Sequence, residues 1–223
     1  MPAAVDNIRI LGGDDLSATG NDLDNTLFSG SGNNVLNGGS GGRDTVSYAF
    51  AGSAVQVSLA TAGAQATGGS GSDVLNGIEN LAGSDFNDEL TGDSGGNVLD
   101  GGAGDDVIEG GNGVDQAVYG STQSSANVTA TVTGCIVTSA LGGTDTLASI
   151  ERLKFSDVSI ARDLGVTQSA GATALLVGAV LPGTLALDPS KQALLGSVID
   201  LFDAGFRCAT SRVLPCGSPS GTY

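Results

Sequence analysis

A nine-residue period governs what this chain can fold into. Gly101-Gly-Ala-Gly-Asp-Asp-Val-Ile-Glu109 runs without a gap into Gly110-Gly-Asn-Gly-Val-Asp-Gln-Ala-Val118. Ahead of them, in the same register, stand Gly83-Ser-Asp-Phe-Asn-Asp-Glu-Leu-Thr91 and Gly92-Asp-Ser-Gly-Gly-Asn-Val-Leu-Asp100. Gly68-Gly-Ser-Gly-Ser-Asp-Val-Leu-Asn76 stands apart, and an earlier, weaker block covers Gly20–Phe28, Ser29–Asn37 and Gly38–Val46, the last with one extra residue. The sixth position reads Asn25, Asn34, Asp44, Asp73, Asp88, Asn97, Asp106 and Asp115, and the eighth reads Leu27, Leu36, Val46, Leu75, Leu90, Leu99, Ile108 and Ala117. Low-complexity Gly/Asp sequence would not hold that phase.

The unit has a simple physical reading. Its Gly-rich start lets the backbone take positive φ and turn tightly. Its end, Asp-x-apolar, is a very short strand whose alternation sends the eighth side chain to one face. One such strand buries almost nothing, whereas stacked strands bury a continuous ladder, so the unit predicts a parallel solenoid. Stacked Gly-rich loops bring carbonyls and carboxylates together, and these are the hard oxygen ligands that Ca²⁺ takes at about 2.3–2.6 Å. Aligned Asp residues otherwise repel, so cation and fold depend on each other.

Composition narrows the partners. The 223 residues carry a formal charge of −16, with 37 Gly, no His and no Trp. So acidic a chain is repelled by nucleic acid and by anionic lipid and attracts cations. The odd set Cys135, Cys208 and Cys216, with no CxxC, excludes a disulfide framework or a thiolate zinc site as the organising principle. Cys208 and Cys216 either pair or remain thiols. The first ten residues have no basic segment followed by an apolar one, so they are not a Sec signal peptide. Val166 to Leu187 is uncharged, but Pro182-Gly183 interrupts it, which favours a packed helical hairpin over a membrane span.

The nonads follow the pattern GGxGxDxUx and closely resemble the RTX (repeat-in-toxin, haemolysin-type) family. That resemblance implies a right-handed parallel β-roll and calcium held between loops on the same side of the roll. Carried over, it pairs the loop of Asp88 with Gly102, Gly104 and Asp106, and the loop of Asn97 with Gly111, Gly113 and Asp115. The neutral Asn97 implies a weaker second site. Asp44 and the copy with Gly69, Gly71 and Asp73 complete the expected metal residues; for Asp44 and Asp73 the alternative is a turn cap.

The rest of the chain sets the domain plan. Residues 1–119 are expected to form the roll, with inserted strands over 44–67. Residues 120–165, with strands at 127–132 and 135–138 and the run 143–157, resemble the strand-rich cap that closes RTX rolls. Asp188, Pro189 and Gly205 frame a helix, which gives a helical hairpin and an irregular tail over 166–223. The start at Val5-Asp-Asn-Ile-Arg-Ile resembles the middle of a repeat, as in a fragment of a longer protein.

Catalytic chemistry is hard to find. Without His there is no Ser-His-Asp or Cys-His pair and no HExxH helix, and no Gly precedes Lys-Ser/Thr as in a P-loop. The repeat explains the carboxylate spacing, and no aromatic platform for a sugar accompanies it. The chain therefore reads as a non-enzyme. Two functions remain: a module for calcium-driven folding and export through type I secretion machinery of a bacterial extracellular protein, or an extracellular solenoid that binds a surface polysaccharide.

Overall fold

A computed structural model describes residues 5–161. The expected helical hairpin, Cys208, Cys216 and the tail lie outside the described residues. In chain order the strands are β1 (Asn7–Arg9), β2 (Ser17–Thr19), β3 (Thr26–Phe28), β4 (Val35–Asn37), β5 (Thr45–Ser47), β6 (Gln56–Ser58), β7 (Ala64–Gly68), β8 (Gly71–Asn76) and β9 (Asn80–Ala82). They continue with β10 (Glu89–Thr91), β11 (Val98–Asp100), β12 (Val107–Glu109), β13 (Gln116–Val118), β14 (Ala126–Ala130), β15 (Gly134–Ser139), β16 (Gly143–Ala148), β17 (Arg152–Lys154) and β18 (Ser159–Ala161). Within the repeats nearly every strand is the last third of a nonad, as the alternation of positions seven to nine requires.

Successive strands fall on alternate faces of a flattened roll. One face is a single sheet ordered β1-β3-β5-β9-β11-β13-β17-β18; the other comprises β2-β4-β8-β7 and β14-β15-β16-β12-β10-β6. Two nonads make one full turn, so Val98 pairs with Gln116 and Glu89 with Val107, both in parallel. The chain is mainly β and forms a parallel β-roll.

The core is two stacked columns of eighth-position side chains. Leu27, Val46, Leu81, Leu99, Ala117 and Leu153 line one sheet; Leu36, Val57, Leu90, Ile108 and Leu147 line the other, all essentially inaccessible to solvent. At about 25 cal/mol per Å² of apolar surface, each such leucine contributes about 2–3 kcal/mol through burial. A single three-residue strand is far too short to stand alone, so the columns stabilise the strands collectively.

Two insertions interrupt the period. After Tyr48 the chain crosses to β6, reverses through β7 and returns as β8 beside β4; β7 runs antiparallel to β8. Gln65 joins β7 to β6 by imitating a backbone: its Nε2 donates to the Ser58 carbonyl at 2.9 Å, and the Ser58 N–H donates to its Oε1 at 2.8 Å. After Tyr119 the antiparallel hairpin β14–β15 is spliced in before β16.

Both insertions end in the same way. Asp73-Val-Leu-Asn-Gly-Ile-Glu-Asn-Leu81 and Asp145-Thr-Leu-Ala-Ser-Ile-Glu-Arg-Leu153 share Asp-x-Leu-x-small-Ile-Glu-x-Leu. In each, a three-residue turn replaces the Gly-rich loop. Ile78 and Ile150 are buried there, and the small residue has positive φ (Gly77 at 56°, Ser149 at 51°). The described residues are thus a tandem of two modules.

Truncating the centre of a column should be costly. Leu99→Ala is expected to lower the unfolding free energy in calcium by about 2–5 kcal/mol, measured by denaturant titration followed by circular dichroism.

Candidate metal centres

The turns stack in two columns, one on each side of the roll, and a carboxylate ladder runs through each. On the side leading into the eight-stranded sheet, Asp44 Oδ1 accepts the Asn25 N–H at 2.8 Å and Asp115 Oδ1 accepts that of Asn97 at 2.7 Å. Glu79 and Glu151 continue this ladder, accepting the N–H groups of Asp44 and Asp115, each at 2.8 Å. On the opposite side Asp73 accepts from Asn34, Asp88 from Val55 and Asp106 from Asp88, each at 2.8 Å, and Asp145 accepts from Asp106 at 3.0 Å. Every step joins one turn to the next through a charge-assisted hydrogen bond.

Glycines admit this stacking. Gly102 (φ 93°) and Gly104 (φ 119°) lie against the carbonyls of Ser84 and Phe86 in the turn beneath, and Gly111 and Gly113 against those of Asp93 and Gly95, with no room for a Cβ. A side chain at the first-position Gly101 or Gly110 would collide with the carboxylate of its own Asp106 or Asp115. The structure therefore brings together the loop of Asp88 with Gly102, Gly104 and Asp106, and the loop of Asn97 with Gly111, Gly113 and Asp115.

The sixth-position residues divide by how their second oxygen or amide is satisfied. Asn34 Nδ2 donates to the Gly30 carbonyl at 3.2 Å, the Gly32 carbonyl at 2.9 Å and Ser29 Oγ at 3.2 Å. Asn97 Nδ2 reaches the Glu79 carbonyl at 2.8 Å, and Asn25 Nδ2 reaches those of Val5 and Asp6, each at 3.3 Å. Asp88 Oδ2 accepts from Ser84 Oγ at 2.9 Å, and Asp73 Oδ2 from Ser29 Oγ at 3.0 Å. Asp106 Oδ2 and Asp115 Oδ2 are buried with no hydrogen-bond partner. A buried, unsatisfied carboxylate oxygen is costly.

Their titration reflects this. Burial pushes the Asp106 carboxyl up to about 7, helped by the charges of Asp145, Asp88 and Asp100 and opposed by the Asp88 N–H. Burial likewise raises Asp115 to about 7, with Glu151, Asp93 and Glu109 adding repulsion against the Asn97 N–H. Asp145 rises to about 6, and Asp44 and Asp73 are raised, again chiefly by burial.

The remaining expected positions behave differently. Gly69 lies in the turn between β7 and β8, its N–H bonded to the Ala54 carbonyl at 3.1 Å, away from the stacked turns. Gly71 does roof the Gly32 carbonyl, but the Asn34 amide already occupies that turn. Asp73 there accepts the Asn34 N–H at 2.8 Å and the Ser29 hydroxyl at 3.0 Å. The sequence reading missed Glu79, Asp145 and Glu151, although each stands two residues before a leucine, as the sixth position does before the eighth. In the two short turns the longer arm of Glu makes the reach that Asp makes from a full loop.

No three or more acidic, Cys or His side chains converge in one cluster among the described residues. Buried carboxylates are dealt out one to a turn, so any ion between the turns must draw most of its ligands from backbone carbonyls. Residues 19–46 and 82–117 match the family model of the RTX calcium-binding nonapeptide repeat, in four copies. These are RTX calcium-binding repeats. No curated protein matches the chain. Oxygen-only donors and the orphaned oxygens of Asp106 and Asp115 fit Ca²⁺ in the RTX turns.

A raised carboxyl pKa means that the folded state binds more protons than the unfolded chain between about pH 4 and pH 7. Calcium-free protein should therefore lose stability as pH rises through that window. Calcium binding should weaken as pH falls below about 7, because protons compete for the same oxygens. Melting with chelator and calcium titrations at pH 5, 6 and 8 would check both; an apo melting point that rises from pH 5 to 8 would contradict the first.

Proposed function

We propose that calcium completes this RTX roll and that the resulting switch serves export of an extracellular bacterial protein by a type I route. The observation that carries this reading is the pair of buried, partnerless oxygens on Asp106 and Asp115. Where the sixth residue is Asn34, its own amide protons satisfy the loop carbonyls. Where it is Asp106 or Asp115, no such donor reaches the second oxygen, and a cation would supply the positive charge. Asp106, Gly102 and Gly104 would hold one ion, and Asp115, Gly111 and Gly113 another. Asp44 and Asp88 are candidate contributors, with weaker sites expected wherever Asn25, Asn34 or Asn97 replaces Asp.

When bound, the ion would supply neutralisation of the buried carboxylate charge. The chain's own residues do the rest. Glycines open the cradle, the Asp carboxylate tethers its turn to the preceding one, and the apolar columns align successive turns. Without the ion the ladder leaves like charges buried side by side, and short strands cannot offset chain entropy. A cytosol poor in calcium would keep the chain unfolded and transportable, and calcium-rich surroundings would fold it outside. RTX repeats occur in secreted bacterial proteins, which supports this direction. The residues just before the core position along the eight-stranded sheet are mixed, running Asn7, Thr26, Thr45, Asn80, Val98, Gln116 and Arg152, which is not the flat Thr or aromatic row that polysaccharide binding would favour. Among the described residues no helix is long and apolar enough to cross a membrane.

The test is far-UV circular dichroism and hydrogen exchange, first with chelator and then with millimolar calcium. Residues 20–119 are expected to gain strand signal and protection with calcium; equal protection in both conditions would rule out the switch. Magnesium holds its waters and should bind more weakly than calcium in titration calorimetry. Asp106→Ala should lower calcium affinity far more than Asp22→Ala, because Asp22 is exposed and accepts from the Ser40 hydroxyl at 2.7 Å.

A further inference from the structure

The turn that covers Asp106 lies outside the residues matched as RTX repeats. Yet Ala140-Leu-Gly-Gly-Thr-Asp-Thr-Leu-Ala148 keeps the fourth, sixth and eighth positions of the nonad as Gly143, Asp145 and Leu147. It follows the Asp106 copy by 39 residues instead of 18, because the β14–β15 hairpin is spliced in between.

The structure stacks it in full register. Thr146 and Leu147 pair with Val107 and Ile108. Asp145 Oδ1 accepts the Asp106 N–H, as Asp106 accepts that of Asp88. The Thr144 N–H donates to Asp105 Oδ1 at 2.7 Å, as the Asp105 N–H donates to Asn87 Oδ1 at 3.0 Å. Gly143, at φ 74°, lies against the Gly104 carbonyl just as Gly104 lies against that of Phe86. A Cβ on Gly142 would stand 3.5 Å from the Gly102 carbonyl oxygen.

The orphaned oxygen faces this turn. A side chain at Gly83 would meet both Asp88 Oδ2 and the Gly101 carbonyl of the next turn, so the space beside a first-position glycine lies between its own turn and the following one. At Gly101 that same space holds Asp106 Oδ2. A cavity opens here, lined by Asp100, Gly102, Ser121, Ser139 and Gly142 among others. Ser121 is only 5% exposed, and its hydroxyl has no hydrogen-bond partner. Asp106 Oδ2, beside Gly101, and the hydroxyl of Ser121, a residue lining the cavity next to Gly102, are thus both buried without a partner on this side of the turn.

We propose that Ala140–Ala148 is a further nonad and closes a calcium site over the Gly101–Asp106 turn, with Asp106 Oδ2, the Gly102 and Gly104 carbonyls and the Ser121 hydroxyl as ligands. Asp145 is a positioning residue that fixes the Asp106 backbone. The proposal rests on the calcium reading above. It adds that the ion of Asp106 lies on the cap side, away from the loop of Asp88. The equivalent junction of the first module pairs Asn34 with Asp73, where the amide stands in for the ion.

The full chain is tested by counting bound calcium with metal analysis after dialysis and by calorimetric titration. A wild-type chain that binds no calcium would overturn the calcium reading itself. Given binding, Asp106→Asn should lose one ion per chain while folding normally in calcium, because the amide can bond the two carbonyls. Ser121→Ala and Asp145→Asn should each weaken that same ion and have no further effect on calcium once Asn stands at 106. Losses that add to that of Asp106→Asn, or binding unchanged by both Ser121→Ala and Asp145→Asn, would overturn the cap-side site. Should Asp145→Asn fail to fold by circular dichroism, Ser121→Ala decides, since its hydroxyl holds nothing else in place.

Discussion

A carboxylate accepting the backbone N–H of the turn beneath is the contact on which this roll depends. It recurs from Asn25–Asp44 to Asp115–Glu151 on one side and from Asn34–Asp73 to Asp106–Asp145 on the other. One oxygen per residue is spent on this tether. The fate of the second oxygen then separates turns that are complete as they stand from turns that need a cation. Hydroxyls satisfy it at Asp73 and Asp88, and it is left bare at Asp106 and Asp115. Fold and ion binding are therefore one problem in electrostatics, because the groups that tether the turns are also those that burial penalises.

Much of this was legible in the sequence. The eighth-position ladder names most of the core, and the resemblance to RTX repeats implied that alternate nonads share one side of the roll. The phase also put Gly102, Gly104 and Asp106 in one turn, since glycine spacing reports where backbone passes against backbone. What was not legible came from the two insertions. A hairpin of some twenty residues shifts Asp145 out of phase, and its first two positions are Ala140 and Leu141, so the glycine signature fades while the Asp-x-Leu core remains. Glu79 and Glu151 were hidden because a shortened turn needs a longer arm, and a search for Asp does not find Glu. Gly69 misled because a Gly-rich nonad sequence also suits a tight antiparallel turn. Which side of a turn faces an ion depends on carboxylate orientation, and spacing carries no information on that.

The tandem of modules clarifies the role of the tyrosines. Tyr48 and Tyr119 each end a repeat and begin an insertion, and each lies buried against the Asp that resumes the ladder, Asp73 or Asp145. Their rings fill the core where the apolar column would otherwise thin out, and Tyr119 stacks on Phe155 at 5.3 Å to close the far end. Both tyrosines of the described residues thus stand where the period breaks.

The short Gly-Ile-Glu and Ser-Ile-Glu turns have a further consequence. Each replaces a Gly-rich loop by a buried isoleucine and a glutamate that needs no bound ion to reach its partner. In a one-dimensional stack, information about whether a neighbour is ordered passes from rung to rung. Each of these two rungs is joined to its neighbour by the glutamate carboxylate and by the Glu79 or Glu151 backbone N–H, contacts that call for no ion. A roll can then lengthen by whole modules, each ended by such a rung.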